Sequence, residues 1–340
     1  MFLDCSRAAG LVRYLVGSLV LSLHKTTPGS HAFAHIRMKR SNVFMGVPTM
    51  YAYLAKHVAN LETQVGRAVA VEAIRSQSLW ISGSSAMPLP LIQQWTALSG
   101  SCPLERYGMT ETGMILGNPL EPHLRRPGSV GLPFPGMEVS IRDDGELWCR
   151  GQQVRSSVVN RSLTSFAFSY LLFVHSSGHQ LTENASRSPR PQLFSGYWNN
   201  PEATSKAFDQ NGWFKTGDTA DRDADGYFTL LGRTSSDIIK HKGYKLSALQ
   251  IESSLLQHDL VEEACVFGAP DEDAGEAVVA VVCGDHLDSV KDAELERWCR
   301  SRLAAYQIPS IWFRLQRLPR NSMGKVNKVE LRHTLFDDPR

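Results

Sequence analysis

The pattern of apolar and polar positions divides the chain into segments of different character. Over residues 42–151 the signals for strands, loops and helices alternate, as they do in an α/β domain. A regular pattern returns at residue 193, where hairpin signals precede a compact α+β unit. Between the two, residues 152–192 show neither a period of 2 nor a period of 3.6. We therefore predict two structured regions separated by a segment of another kind.

Several short elements can be placed in the first region. The apolar run Ser78–Ser82 predicts a buried strand, and the pattern after the next turn predicts a helix over Leu89–Leu98. Leu104–Tyr107 predicts a second short strand, after which Gly108 is expected to lead into another helix. A hairpin is predicted with its turn at Asp143–Gly145.

The region after residue 193 contains two further hairpin signals, Asn211-Gly212 and Asp225-Gly226. A helix is predicted over Ser247–Leu256, with Ser247 as its cap. We place a domain boundary at Leu231–Gly232, so that residues 42–231 form one domain and 232–340 a smaller one. The remaining predicted elements of the smaller domain are a helix over 292–304 and strands over 264–268, 277–283 and 311–315.

The segment 152–192 resembles an insertion. It holds nine Ser, no Lys and a single acid, Glu183. A structureless loop of this length is unusual inside a compact domain. We interpret the segment as a disordered or poorly packed insert, with a strand at Phe166–Val174 as the alternative.

The N-terminal residues 1–41 are basic and partly apolar. They contain six Lys or Arg against one acid, Asp4. The apolar run Ala8–Leu23 is shorter than the roughly 20 residues of a membrane-spanning helix, so no stable membrane insertion is expected. Such a start is compatible with a mitochondrial presequence, a signal peptide or an extension without a targeting role. We expect a mitochondrial location, with a cytoplasmic one as the alternative.

Composition adds limits to these predictions. The 340 residues are 42% hydrophobic and 21% charged, which is typical of a soluble globular protein. The net charge of +2 is too small to indicate nucleic-acid binding by electrostatics alone. The six cysteines include no C-x-x-C pair and have no His cluster beside them, which argues against a disulfide framework or a zinc site.

The strongest candidate for chemistry is the stretch Tyr107–Thr112. It places the hydroxyl of Thr110 and the carboxylate of Glu111 at the expected helix start, where backbone N–H groups favour an anion. A carboxylate is also a suitable ligand for Mg²⁺ bound to phosphates. The alternative is an ordinary helix cap, since Thr followed by Glu is common there.

Other motifs stand in a fixed order around this stretch: Gly83–Pro88, Gly212–Asp218, Gly232-Arg233, Gly243–Lys245 and Pro319–Lys325. This order resembles the acyl-CoA synthetase branch of the adenylate-forming superfamily, over about 42–151 and 193–336. The resemblance implies an α/β fold, in which an incomplete large adenylation domain with mixed sheets and helices precedes a small C-terminal α+β lid domain. It also implies ATP, Mg²⁺ and CoA as cofactors and co-substrates.

The resemblance assigns roles to individual residues. It implies that Tyr107 stacks on the adenine, that Thr110 and Glu111 contact phosphate and Mg²⁺, and that Asp218 accepts the ribose hydroxyls. The alternative for Asp218 is a simple turn residue. The nucleotide-binding residues implied in this way are Gly83, Ser84, Ser85, Tyr107, Gly108, Asp218 and Arg233.

Lys325 resembles the catalytic lysine of the small domain. In this family an acid attacks the α-phosphorus of ATP, and an ammonium group meets the charge that develops on the transferring group. A thiol then attacks the acyl-adenylate, a step that needs no nucleophile from the protein. An ordinary surface lysine is the alternative for Lys325.

The resemblance further implies rotation of the small domain between the two steps. Asp237 is the candidate hinge residue, although the spacing also allows Ser235 or Ser236. Gly243 and Tyr244 resemble the turn that lines the CoA tunnel.

The acid is expected to be malonate, because Glu105–Glu111 and Arg233–Lys240 resemble the malonyl-CoA synthetase subgroup. A dicarboxylic acid needs a cation for its second carboxylate, and the guanidinium of Arg106 offers two parallel donors. The alternative for Arg106 is a structural ion pair with Glu105.

Two family features are not found. The Ser/Thr/Gly-rich loop that clasps the β- and γ-phosphates has no counterpart in 1–41, since residues 22–30, SLHKTTPGS, have the wrong order. The His-containing segment on the acyl side is also missing. Three functions are therefore retained: a malonate–CoA ligase, a ligase of another short or medium carboxylic acid, and an inactive fragment of such an enzyme.

Overall fold

The computed structural model describes residues 14–15, 43–151, 193–287, 290–320 and 326–336. The predictions made for the insert 152–192, including the alternative strand Phe166–Val174, lie outside these residues. So do the predictions for 1–41 apart from Tyr14–Leu15. The expected absence of a phosphate loop therefore stays a prediction.

A mixed sheet forms the first layer of the fold. Strands β1 to β4 pair in parallel, β5 pairs antiparallel with β4, and β6 pairs antiparallel with β5. The predicted strand near Ser78–Ser82 is confirmed as β3, and all four of its residues are buried, as expected for a parallel strand covered on both faces. The six strands are Tyr14–Leu15, Val43–Gly46, Leu79–Ser82, Leu104–Met109, Gly113–Gly117 and Leu132–Pro133.

Three helices cover one face of this sheet: α1 (Pro48–Ala59), α2 (Gln64–Arg75) and α3 (Leu89–Ser99). The predicted helix over Leu89–Leu98 is confirmed as α3, which Gly100 ends with a φ of 79°. The core beneath these helices is rich in aromatic residues. Its ring centroids lie 4.8 to 5.5 Å apart between Trp80 and Trp95, Tyr51 and Trp95, and Phe44 and Tyr51.

The expected helix after Gly108 is wrong. Strand β4 continues through Gly108 to Met109, and a short turn leads into the antiparallel strand β5, Gly113–Gly117. The physical reason is the apolar run in β5: Ile115 and Leu116 are fully buried and pack as strand residues in the core. A β-bulge between Tyr107 and Gly108 shifts the register of the hairpin.

A second, fully antiparallel sheet consists of β7 (Glu138–Ile141), β8 (Glu146–Arg150), β9 (Phe214–Arg222) and β10 (Phe228–Arg233). Its strand order is β10-β9-β8-β7, and the short helix α4, Pro201–Ala207, precedes β9. The hairpin turns predicted at Asp143–Gly145 and Asp225-Gly226 are confirmed, with a positive φ of 88° at Gly145 and 89° at Gly226. Gly212 closes the other predicted turn, which pairs Phe208 with Phe214.

The C-terminal part forms a third sheet, whose strands are β11 (Ile238–His241), β12 (Tyr244–Ser247), β13 (Glu263–Asp271), β14 (Gly275–Cys283) and β15 (Ile311–Arg314). The order is β12-β11-β14-β13, and β15 pairs in parallel with β14. The helices are α5 (Ala248–Leu255), α6 (Asp292–Arg300) and α7 (Lys328–Phe336). The predicted cap is confirmed, because the Ser247 side chain accepts a hydrogen bond from the backbone N–H of Gln250.

The second and third sheets meet in the chain close to the predicted domain boundary. The second sheet ends at Arg233 and the third begins at Ile238, so the change of sheet falls at 234–237, just after the predicted boundary Leu231–Gly232. Among the residues that the structure describes, no helix is long and apolar enough to cross a membrane.

We expect Gly108→Ala to lower the free energy of unfolding by about 3 kcal/mol, because the new Cβ cannot be accommodated. It would lie 2.0 Å from the carbonyl oxygen of Gly113. Gly100→Ala is the control: its φ is 79° but the space around it is open, so the expected loss is about 1 kcal/mol. Urea denaturation measures both, and equal losses would contradict the close approach of β4 and β5.

Candidate active site

The candidate site lies where the first and second sheets meet. Tyr107 on β4 donates a hydrogen bond from its hydroxyl to Asp218 Oδ2 on β9, with an oxygen–oxygen distance of 2.5 Å. Arg233 on β10 lies opposite Asp218 in the strand register, and its Nε is 3.1 Å from Asp218 Oδ1. The turn interpretation of Asp218 is wrong, because the residue sits within β9. Three residues predicted from separate motifs therefore form one polar cluster.

Burial dominates the electrostatics of this cluster. Asp218 is only 7% exposed, and desolvation raises the pKa of its carboxyl above the ordinary value. The hydrogen bond from Tyr107 and the charge of Arg233 pull that pKa back down. Desolvation and the neighbouring Asp218 also raise the pKa of Tyr107, so its hydroxyl stays protonated and remains a donor.

The hairpin after Tyr107 carries the predicted phosphate and metal residues. Thr110 is exposed at its tip, and Glu111 is half-buried. The side chain of Glu111 accepts a 3.2 Å hydrogen bond from the hydroxyl of Tyr197, and its carbonyl accepts one from the backbone N–H of Phe194. Neither Thr110 nor Glu111 caps a helix, so the capping alternative is wrong. The single carboxylate here suits Mg²⁺, which keeps several waters and binds phosphates together with one or two carboxylates.

The loop predicted to contact adenine lies beside β4. Gly83 is buried and follows β3, whereas Ser84 and Ser85 are exposed. A Cβ at Gly83 would lie 3.3 Å from the Cγ and from the carbonyl oxygen of Arg106, so glycine permits this close approach. Ser84 has a φ of 72°, an uncommon conformation for a residue with a side chain.

The loop is anchored by Glu105, which the motifs did not single out as a site residue. Its Oε2 accepts a 3.2 Å hydrogen bond from the backbone N–H of Met87. Glu105 is 5% exposed, and burial raises its pKa to about 7, although hydrogen bonds from Met87 and Gly128 act in the opposite direction. This carboxyl therefore changes its charge near neutral pH.

Arg106 is half-buried on β4 next to Gly83. Its two terminal nitrogens lie 3.1 Å from Met114 Sδ and 2.9 Å from Met45 Sδ. Thioether sulfur is a weak acceptor, so an anion would bind these donors more strongly than the sulfur atoms do.

Asp237, the candidate hinge residue, lies between the second and third sheets. Its Oδ2 accepts a 2.8 Å hydrogen bond from the backbone N–H of Arg233, and its Oδ1 is 2.6 Å from Lys328 Nζ. Lys328 also contacts Glu252 Oε1 at 2.7 Å. Desolvation lowers the pKa of Lys328, but Glu252 and Asp237 raise it by more, so the ammonium stays charged.

The predicted CoA residues form the turn between β11 and β12. Lys242 and Gly243 both have positive φ values, 49° and 83°, as in the type I′ turn of a two-residue hairpin. The ring of Tyr244 is 52% exposed and stacks on Tyr306, with centroids 4.3 Å apart and planes 3° from parallel. The predicted catalytic Lys325 lies outside the residues that the structure describes.

The motifs missed several residues that hold the site together. Glu146 accepts a hydrogen bond from the backbone N–H of Gly217, which has a φ of 71° next to Asp218. Lys328 was missed although it follows the Pro319–Lys325 motif by three residues. Its position at the start of a helix carried no local signal, because only the long-range fold brings Glu252 and Asp237 to it.

Two models of known protein families match the chain. The AMP-binding enzyme family matches residues 1–157, and the AMP-binding enzyme C-terminal domain matches residues 250–325. Together the two matches cover more than half of the chain. The first match reaches residue 1, so the likeness extends farther toward the N-terminus than the motifs indicated. The chain belongs to the AMP-binding enzyme family.

Individual relatives and a solved structure are similar to most of the chain. The chain is 41% identical over 312 residues to the mitochondrial malonate–CoA ligase ACSF3 of Bos taurus, covering 87% of this chain and 49% of the relative. It is 42% identical over 303 residues to a probable CoA ligase of Humulus lupulus, covering 86% of this chain and 45% of the relative. The crystal structure of ATP-bound MatB from Rhodopseudomonas palustris superposes with a TM-score of 0.69 at 29% identity, over 92% of this chain and 54% of MatB. The chain thus spans about half the length of the relatives it matches.

We expect Tyr107→Phe to lower the free energy of unfolding by about 2 kcal/mol, because the buried carboxylate of Asp218 loses a donor. Tyr197→Phe is the matched control. It removes a hydroxyl donor from Glu111, but Tyr197 is 39% exposed, so water replaces the bond and the expected loss is below about 1 kcal/mol. Urea denaturation at pH 7 compares the two variants, and a larger loss for Tyr197→Phe would contradict the buried cluster.

Glu105→Gln tests the raised pKa of Glu105. The folded protein holds the proton up to a pH of about 7, whereas the ordinary value is 4.5, so the folded state binds more protons between these values. Stability therefore falls as the pH rises through this window, and Gln lacks this dependence. We expect the stability of the wild-type chain relative to Glu105→Gln to fall by about 3 kcal/mol between pH 4 and 8. A pH-independent difference would show that Glu105 titrates normally.

Proposed function

We propose that this chain carries the nucleotide-binding and lid regions of an ATP-dependent acid–CoA ligase whose acid is malonate. The reaction is malonate + ATP + CoA to malonyl-CoA + AMP + pyrophosphate through an acyl-adenylate. The observation that carries the proposal is the cluster of Tyr107, Asp218 and Arg233, because it gathers motif residues from three strands around one buried carboxylate. The names of the malonate–CoA ligase relatives support the same function.

The cluster suits the nucleoside part of ATP. A carboxylate accepts hydrogen bonds from two adjacent hydroxyls, so Asp218 is proposed to bind both ribose oxygens. Tyr107 and Arg233 contact its two oxygens and hold the carboxylate in position. The ring of Tyr107 and the loop Gly83–Ser85 are then the proposed contacts of the adenine base.

The phosphates are proposed to lie over the hairpin turn. The exposed hydroxyl of Thr110 is a donor for a phosphate oxygen, and Glu111 is the proposed ligand of Mg²⁺. When bound, Mg²⁺ would neutralise charge on the phosphates. Tyr197 holds the carboxylate of Glu111 in place through its hydroxyl.

The two chemical steps use the smaller region. Lys325 is proposed to stabilise the charge that develops when the carboxylate of the acid attacks the α-phosphorus of ATP and pyrophosphate leaves. For the second step the turn at Gly243 and the exposed ring of Tyr244 are the proposed contacts of CoA, whose thiol displaces AMP. Asp237 is the proposed hinge between the regions 42–231 and 232–340.

The proposal that the acid is malonate depends on Arg106. Its guanidinium is held beside Gly83 with thioether sulfurs as two of its contacts, and a carboxylate forms much stronger hydrogen bonds. The second carboxylate of malonate is therefore the proposed partner of Arg106. A mitochondrial location is proposed because several malonate–CoA ligase relatives carry that description.

The experiment is ATP–pyrophosphate exchange with malonate, acetate and a medium-chain fatty acid, measured on the 340-residue chain. Exchange that depends on malonate is the expected result. Exchange with acetate or the fatty acid alone would identify a ligase of another acid. AMP binding without exchange for any acid, by folded protein, would identify an inactive nucleotide-binding fragment.

Arg106→Gln is expected to lower kcat/KM for malonate roughly 10- to 100-fold, the effect of losing charged hydrogen bonds to one carboxylate. The rate with a monocarboxylic acid should change far less, because that substrate has no second carboxylate. Arg126→Gln is the control, since Arg126 pairs with Asp223 and Asp225 on the surface. An equal loss with both kinds of acid would remove Arg106 from the specificity argument.

A further inference from the structure

A buried ion cluster connects the C-terminal helix with the nucleotide site. Its centre is Lys328, the first residue of α7, whose Nζ lies 2.6 Å from Asp237 Oδ1 and 2.7 Å from Glu252 Oε1. The same ammonium donates to the carbonyl oxygen of Val266 at 2.9 Å. All three charged side chains are between 13% and 14% exposed. Such a cluster orients its members strongly, since a buried charge without a partner is costly.

Asp237 connects this ion cluster to the strand that carries Arg233. One carboxylate oxygen faces Lys328, and the other accepts the backbone N–H of Arg233 at 2.8 Å. The backbone N–H of Asp237 in turn donates to the carbonyl of Arg233, also at 2.8 Å. The side chain also packs against Gly232, where a Cβ would lie 2.4 Å from the Cβ of Asp237. Asp237 therefore has little freedom to move without displacing Arg233.

Arg233 then reaches the nucleotide site. Its Nε contacts Asp218 Oδ1 at 3.1 Å, and one terminal nitrogen donates to the carbonyl of Thr216 at 3.1 Å. An unbroken series of polar contacts thus runs from Lys328 through Asp237 and Arg233 to Asp218. The series joins the third sheet to the second across residues 234–237.

We propose that Lys328 is a positioning residue that acts through Asp237 to hold Arg233 against Asp218. Glu252 is the second charged partner of Lys328, and within the described residues its side chain contacts Lys328 and Val266 but not Arg233. It therefore anchors the lysine without taking part in the positioning. The effect on nucleotide affinity rests on the function proposed above, whereas the effect on the backbone at Arg233 does not.

The test compares Lys328→Met with Glu252→Gln. Each variant removes one charged member of the ion cluster and lowers the melting temperature, but only Lys328→Met removes the charged partner of Asp237. Hydrogen exchange measured by mass spectrometry reports the amides of residues 232–238 in the ligand-free chain. Lys328→Met is expected to speed their exchange about tenfold, and Glu252→Gln less than twofold. AMP titration is expected to give about tenfold weaker binding for Lys328→Met and a change below twofold for Glu252→Gln.

Two results would overturn the proposal: unchanged exchange at 232–238 in Lys328→Met, or equal acceleration in both variants, which would reduce Lys328 to a general structural anchor. If the Met variant does not fold, Lys328→Gln replaces it, because Gln also removes the positive charge that holds Asp237 and its polar amide is easier to place among the buried polar groups. A wild-type chain that binds no AMP would remove the proposed nucleotide site. The exchange data would still decide whether Lys328 positions Arg233.

Discussion

The buried carboxylate of Asp218 is the interaction on which the rest of the site depends. A carboxylate that is 7% exposed needs partners, because burial of an unpaired charge costs far more than a hydrogen bond returns. Tyr107 supplies one partner from the first sheet, and Arg233 supplies the other from the neighbouring strand. Because both partners must reach this one carboxylate, the first and second sheets are held in a fixed arrangement where Tyr107, Asp218 and Arg233 meet.

The same requirement reaches into the C-terminal part. Arg233 is the last residue of its strand, and its backbone N–H is bound by Asp237, which Lys328 holds from the start of α7. Asp218, Asp237 and Lys328 are nearly buried here, and Arg233, whose side chain is half exposed, links Asp237 to Asp218. A series of contacts that is mostly buried fixes the positions of its side chains more firmly than surface ion pairs do, because surface pairs are screened by water and contribute little to stability. A fixed geometry is what a site needs when it must hold a nucleotide in one orientation.

Local signals predicted most of the elements correctly. The turns at Gly145 and Gly226 need positive φ values that Gly adopts easily, so their sequence signature is specific. The apolar run at Ser78–Ser82 indicated a buried strand, and the structure shows that this strand, β3, pairs in parallel. The expected helix after Gly108 was wrong because a hydroxyl and an acid after Gly are equally compatible with a hairpin. Pairing with β4, which no local pattern reports, decided between them.

The sequence by itself determined the family, the order of the motifs and the types of chemistry that their side chains allow. These follow from residue identity and short spacing, both of which are local. Only the tertiary structure decided which of those side chains meet: Tyr107 and Asp218 are 111 positions apart, and five strands and two α-helices separate Asp237 from Lys328 along the chain. It also decided the raised pKa of Glu105, because desolvation depends on everything that packs around a group and not on its neighbours in the chain.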